Sequence, residues 1–270
     1  MGLNIFNIEC LWILIAIAIS CCIGYKKYIW FFSIGYGLAI ATTGIILGGL
    51  YSSRITSIME IACILFILYG VRLSVFLAVR EFKNHSYQKK MGMEIKDGKG
   101  MNFFVKSVIW LSCTLLYFMM CAPVIYRFVN KAGTDTCFVV GMVIAFLGVW
   151  IEIVADAQKS SLKKKNPNRF CDKGLYRIVR CPNYLGELLL WLGVFISGIT
   201  ALNGVGQWIV AIFGLVGIFY VMFSGAKRIE VRQDKSYGKM EEYQKYIQKT
   251  PIMIPLLPLY SVKKYKWLVA

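Results

Sequence analysis

Seven stretches of this 270-residue chain are long and apolar enough to cross a bilayer, at approximately residues 4–24, 29–50, 56–79, 103–126, 137–157, 185–202 and 206–224. A hydrocarbon core of roughly 30 Å needs about 20 such residues per crossing. Composition agrees, since 58% of the residues are hydrophobic and 17% charged, against roughly 45–50% and about 25% in soluble domains. The runs predict an all-α integral membrane bundle of seven transmembrane helices. The first run lacks a basic flank and a small-residue cleavage site, so it is expected to stay as a permanent helix. No linker-like or low-complexity stretch separates the runs, and no internal repeat is evident, so residues 1–270 read as a single polytopic membrane domain.

Charge placement supports the count independently. The first connection holds Lys26 and Lys27, and the second only Arg54. The third holds Arg80, Lys83, Lys89, Lys90, Lys96 and Lys99, and the fourth Arg127 and Lys131. The fifth carries eight basic residues from Lys159 to Arg180, the sixth none, and the tail after Gly225 ten. Basic residues gather in cytoplasmic loops, so this alternation predicts an N-terminus outside and a C-terminus in the cytoplasm. The net charge of +17 therefore reads as topology and contact with anionic membrane lipids. No stacking aromatics or recognisable module accompany it, which argues against nucleic acid.

Nine cysteines are present without a C-x-x-C pair, and His85 is the lone histidine. A metal site is not expected. Most of the cysteines lie in apolar runs, where the thiol behaves as a small hydrophobe. Cys171 and Cys181 fall in a loop expected to face the reducing cytoplasm.

Carboxylates in or beside the membrane each need an explanation, because burying the charge is costly. Glu9 is expected to be hydrated at the outer rim. Glu152 and Asp156, four residues apart, share a helix face on which like charges repel. They are either a solvated helix end near Lys159 and Lys163 or acceptors for a polar ligand, helped by Gln158. The sixth run opens at "CPNY". Pro182 suits a first helical turn, and Asn183, Glu187 and Trp191 follow at successive i+4 steps. Just upstream, "GLYRIVR" sets Arg177 and Arg180 beside a helix start whose free N–H groups favour anions. Spacing alone allows a phosphate cradle or an ordinary lipid anchor.

Arg72 lies inside the third run, eight residues before Arg80 and on roughly the same face. It either snorkels or has an internal partner, Glu60 or a ligand phosphate. His85 and Tyr87 follow at the cytoplasmic mouth as candidate proton donors. The tail, "RIEVRQDKSYGKMEEYQKYIQKTPIMIPLLP", is basic and amphipathic, with Tyr243 and Tyr246 one helical step apart. Its proline-bounded stretch from Pro251 to Pro258 is expected to return towards the membrane.

Three of these stretches, "EIVADAQKSSLK", "GLYRIVRCPNYLGELLLWLG" and "YQKYIQKTPIMIP", occur in an order that resembles the steroid 5-alpha-reductase-like superfamily. The likeness is to its bacterial integral membrane branch and to the C-terminal domain of the 3-oxo-5-alpha-steroid 4-dehydrogenase family. It runs from about residue 60 to the C-terminus, with motifs in 152–191 and 228–255. The resemblance implies a seven-helix bundle in a bacterial inner membrane and NADPH bound in a cytoplasm-facing cavity. It also implies reduction of the activated C=C bond of a lipophilic enone. The cofactor contacts it implies fall on Glu152, Asp156, Arg177, Arg180, Asn183, Glu187 and Tyr246, which stands nine residues before Pro255; Arg72 joins them as the candidate for a ligand phosphate. The steroid-reducing branch tends to have Asn where Glu152 stands. For the Glu–Tyr pair that holds the substrate ketone there, the nearest counterparts are Tyr87 and Glu60, the latter out of register because it precedes Arg72 on one helix.

On this reading a hydride reaches the β-carbon of an α,β-unsaturated ketone. Tyr87 or His85 then meets the charge that develops on oxygen. Arg180→Ala and Asn183→Ala are expected to weaken NADPH binding and leave the protein folded. The alternative is an S-adenosylmethionine-dependent membrane methyltransferase of the isoprenylcysteine carboxyl methyltransferase type, which shares an R-x-P-x-Y-x-G stretch and an acidic, tyrosine-bearing tail. The E-x-x-x-D-x-Q pattern and the stripe of Asn183, Glu187 and Trp191 favour the reductase.

Overall fold

The computed structural model describes residues 7–52, 57–83 and 100–269. Among these residues the regular structure is helical, without a strand. The helices are α1 Ile8–Cys21, α2 Ile34–Tyr51, α3 Ser57–Lys83, α4 Phe103–Val129, α5 Thr136–Lys165, α6 Pro182–Gly198, α7 Gly204–Tyr237 and a short α8 Glu241–Lys249. Seven segments, α1 to α7 with the 3-10 turns that extend some of them, are long and apolar enough to cross a membrane, as the seven runs require. The largest departure from the apolar runs is α7, whose 34 residues span roughly 51 Å at about 1.5 Å each. Its last turns, "AKRIEVRQDKSY", are charged but contain no proline and are rich in good helix formers, so the helix continues past the apolar stretch.

The chain forms two compact units, Met1–Val140 with Val194–Leu215 and Gly141–Gly193 with Val216–Ala270. In the first, α2 and α3 meet backbone to backbone. A Cβ on Gly44 would stand 2.6 Å from the Cys63 carbonyl oxygen, and one on Gly70 2.5 Å from the Ala41 nitrogen. Small residues permit this approach where packing, rather than water exclusion, must hold helices together. Pro123 sits within α4 and cannot donate to the Met119 carbonyl. Gly214 of α7 is pressed against that same carbonyl.

Arg127 is a fully buried member of this unit. Its guanidinium donates to the Ser197 carbonyl at 2.8 Å, to the Gly133 carbonyl, to Thr200 Oγ1 at 2.5 Å and to Asp135 Oδ2 at 3.0 Å. Burial pushes the Asp135 carboxyl up, but hydrogen bonds from Thr200, the Phe138 N–H and Arg127 outweigh it and hold the group below the ordinary carboxylate value. Arg127 is thus a cross-link within the fold rather than a loop charge. Glu81 is likewise buried, accepting from Trp30 Nε1 at 2.8 Å and pairing with Lys27 at 2.5 Å.

In the second unit, α5 and α6 cross through small residues. A Cβ on Gly186 would lie 2.6 Å from the Gly148 carbonyl oxygen and 2.8 Å from the Glu152 nitrogen, and one on Gly193 2.5 Å from the Ala145 nitrogen. The tail helix α8 starts with Glu241 and Glu242 and ends with Lys249, each at the end its charge favours. It stops at Thr250, which takes the extended conformation preferred before a proline. Beyond it, Ile252, Met253, Val262 and Leu268 are buried in one cluster with Cys181, Leu188 and Ala226.

Candidate functional site

Within the second unit the three sequence motifs converge at the end of α5, the start of α6 and the tail. The loop before α6 turns at Gly174, whose φ of +62° suits glycine. A 3-10 turn, Gly174–Arg177, follows. Gln158 Oε1 accepts from the Leu175 N–H at 2.9 Å, and a Cβ on Gly174 would lie 2.5 Å from that oxygen. Gln158 therefore shapes the loop through its carbonyl oxygen. The next residue, Tyr176, is buried with Ala155 and Cys171, and its carbonyl accepts from Tyr246 Oη at 2.6 Å. Tyr246 and Tyr243 both pack on Phe170, with ring centroids 5.3 Å away in each case. Tyr243 also donates to Asp234 Oδ1 at 2.9 Å. Helix α8 is held to the protein by these tyrosines.

Arg180 is the hub. Its N–H donates to the Pro251 carbonyl and that of Cys181 to the Ile252 carbonyl, both at 2.9 Å. Its guanidinium Nη2 donates to Glu230 Oε1 at 3.0 Å and to the Tyr260 carbonyl. The other Glu230 oxygen accepts the Val262 N–H at 3.0 Å. The pair is 1% and 2% exposed, so each charge depends on the other for compensation. Two nitrogens of this guanidinium, Nε and Nη1, are buried without a hydrogen-bond partner among the described residues, as is the Tyr176 hydroxyl. Unpaired buried donors are uncommon and costly.

The other sequence candidates divide by position. Pro182 begins α6 as its place before the helix requires. Asn183 is half-buried and Glu187 and Trp191 are buried along that helix. Glu152 is buried on α5 beside Gly186 and Asp156 is half-buried one turn on. Arg177 is exposed. Glu60 and Arg72 belong to the first unit, where Glu60 is exposed in the first turn of α3. Twelve residues of helix place Glu60 and Arg72 roughly 18 Å apart along the axis, so they are not partners. Arg72 and Arg80 instead lie over the ring of Phe76 at 5.7 and 5.9 Å, consistent with one shared face. His85 and Tyr87 lie outside the described residues.

The protonation states are those of hydrogen-bond donors. Burial raises the Tyr176 phenol above its ordinary value, and the nearby Cys171 and Asp156 add to it. Burial likewise raises Tyr246, with Cys181 adding and Arg180 opposing. Both phenols are neutral at physiological pH. Burial pushes the Cys181 thiol up to about 11, which leaves it protonated and unreactive.

Sequence reasoning missed Glu230, Tyr176 and Tyr260. For Glu230 the signal is a lone carboxylate inside "KRIEVR", placed among three cations. Tyr176 stands between the Gly174 and Arg177 that drew attention to the loop. Tyr260 contributes its backbone carbonyl, which no side-chain pattern records.

The helices, the buried ion pair and the converging motifs define a multi-pass membrane protein with a polar site built from a loop, a helix start and a tail. The chain belongs to the DUF1295 family (Protein of unknown function), matched over residues 18–250, which is the steroid 5-alpha-reductase-like family. Over 58 residues it is 41% identical to "Steroid 5-alpha-reductase DET2" of Arabidopsis thaliana and 36% identical to the protein of that name from Gossypium hirsutum. Each match covers 21% of this chain and 22% of the relative, so the chain spans about a fifth of the length of these curated relatives. No solved structure matches significantly.

Proposed function

We propose that this protein is a membrane-embedded, NADPH-dependent reductase acting on the C=C bond of a lipophilic α,β-unsaturated ketone. Supporting this are the family membership, the similarity to two proteins named steroid 5-alpha-reductase, and above all the Arg180 site. A buried guanidinium whose Nε and Nη1 are unpaired among the described residues, next to the N-terminus of α6, is a donor set that fits phosphate oxygens. Glu230 already neutralises Arg180, so Arg180 offers hydrogen bonds while exposed Arg177 brings further positive charge. Asn183 and the Tyr176 hydroxyl add neutral polar groups at the same helix start. Glu152, Asp156 and Glu187 are the acceptors for the hydroxyl and amide groups of a dinucleotide.

NADPH, when bound, supplies the hydride for the substrate's β-carbon. The chain's own task is to hold the dinucleotide at the α6 start, to offer the lipophilic substrate an apolar path, and to place a donor at the substrate oxygen. Tyr87 or His85 fills that last role in this reading. In this reading the C-terminus is cytoplasmic, and the site faces the compartment of the basic loops.

The test is consumption of NADPH by the detergent-purified protein on addition of enone steroids or polyprenyl enones. Asn183→Ala is expected to weaken NADPH binding about tenfold or more, the loss of one hydrogen bond to a charged group, with an unchanged melting temperature. An Asn183→Ala variant that binds NADPH as tightly as wild type removes the α6 start from the cofactor site.

A further inference from the structure

The C-terminal segment after Pro251 has two faces. Its inward side chains Ile252, Met253, Val262 and Leu268 are buried. Its outward ones are apolar and basic: Leu256 is 93% exposed and Trp267 63%, with Leu257, Val269, Lys264 and Lys266 also exposed. This face is fixed to a particular level of α7. Trp267 stacks on Tyr220 with centroids 6.1 Å apart, and Tyr220 donates to the Trp267 carbonyl at 3.2 Å. Lys227 donates to the Tyr265 and Leu268 carbonyls at 3.1 and 3.0 Å. Tyr220 and Lys227 bracket the point where the apolar run of this spanning helix gives way to charge. Tryptophan, tyrosine, exposed leucine and lysine at such a boundary are the composition of an element that lies in the headgroup layer.

We infer that residues 255–269 seat on an anionic lipid leaflet, with Leu256, Leu257 and Trp267 entering the acyl boundary and Lys264 and Lys266 meeting lipid phosphates. The same segment supplies the Tyr260 carbonyl to Arg180 and the Val262 N–H to Glu230. Seating on lipid therefore steadies the loop that carries Arg180, and the anionic leaflet acts as a structural partner of the site. This rests on the tail geometry and stands whether or not the site holds NADPH.

The test uses the full chain in bilayers of phosphatidylcholine alone or mixed with phosphatidylglycerol, either lipid being brominated in turn. The emission of wild type minus that of Trp267→Phe isolates Trp267. It is expected to be quenched by both lipids and more strongly by the brominated anionic one. Lys264→Gln with Lys266→Gln removes that preference, by roughly fivefold per charge, and retains quenching by phosphatidylcholine. Hydrogen exchange of the Arg180 and Cys181 amides, which donate into the tail, slows with anionic lipid in wild type and not in the double variant. The inference is overturned by any of three results: Trp267 insensitive to brominated lipid, equal quenching by the two lipids, or shielding of Trp267 that follows protein concentration through pairing of two copies.

Discussion

Arg180→Ala is expected to lower stability by about 3–5 kcal/mol, and Arg180→Met combined with Glu230→Met to recover most of the loss, when both are measured by denaturation of the purified protein in detergent. The single change leaves the Glu230 carboxylate buried without its cation, and breaking a buried pair from one side carries about that cost. The double change removes both charges and fills the space with apolar atoms, which is close to neutral for such pairs. The size of the effect follows from burial of both partners at 2% exposure or less, not from the hydrogen-bond distance. This alters the expectation from the sequence, that Arg180→Ala weakens NADPH binding and leaves the protein folded. A ligand defect in that single variant therefore carries no weight unless its melting behaviour is measured beside it. Equal stability of Arg180→Ala and wild type would show that the pair does not hold the loop to the tail.

Gly186→Val is expected to prevent normal packing of α5 against α6, with a larger loss of folded protein than Gly186→Ala. Even an alanine Cβ would fall 2.6 and 2.8 Å from backbone atoms of Gly148 and Glu152, and backbone cannot turn aside as a side-chain tip can. Overpacking of a tight interior costs about 1–3 kcal/mol for small additions, and the two further methyls of valine have no space to enter. Gly49 is the control, since a Cβ there meets nothing within 4 Å. Gly49→Ala is expected to be neutral or to stabilise by about 0.4–1 kcal/mol through the unfolded chain. Thermal denaturation of the three variants in one detergent checks the order. Matching melting temperatures for Gly186→Ala and Gly49→Ala would contradict the close crossing.

The spanning helices were legible because the bilayer imposes a single strong rule on length and polarity, one that each run obeys separately. The same rule says nothing about where a helix stops once it leaves the apolar layer, which is why the charged extension of α7 to Tyr237 went unread. At the site, the loop and tail motifs were recognisable as polar groups that a membrane penalises, and the structure brings them together at Arg180. What joins them was not legible. Glu230 lies fifty residues from Arg180, and the tail contacts run through backbone groups of Pro251, Ile252, Tyr260 and Val262. Backbone pairing at long range leaves no mark in residue type. Gln158 has a role that its residue type does not reveal: its side chain is on the expected helix, and its oxygen closes a turn.

In the proposed function the α6 start and its buried arginine receive the phosphates of NADPH. The decisive experiment is calorimetric titration of the wild-type protein in detergent with NADPH, and with S-adenosylmethionine in parallel. Saturable NADPH binding, weakened in Asn183→Ala, is expected, with no heat from S-adenosylmethionine. Binding of S-adenosylmethionine with no response to NADPH, or no response to either, would contradict it.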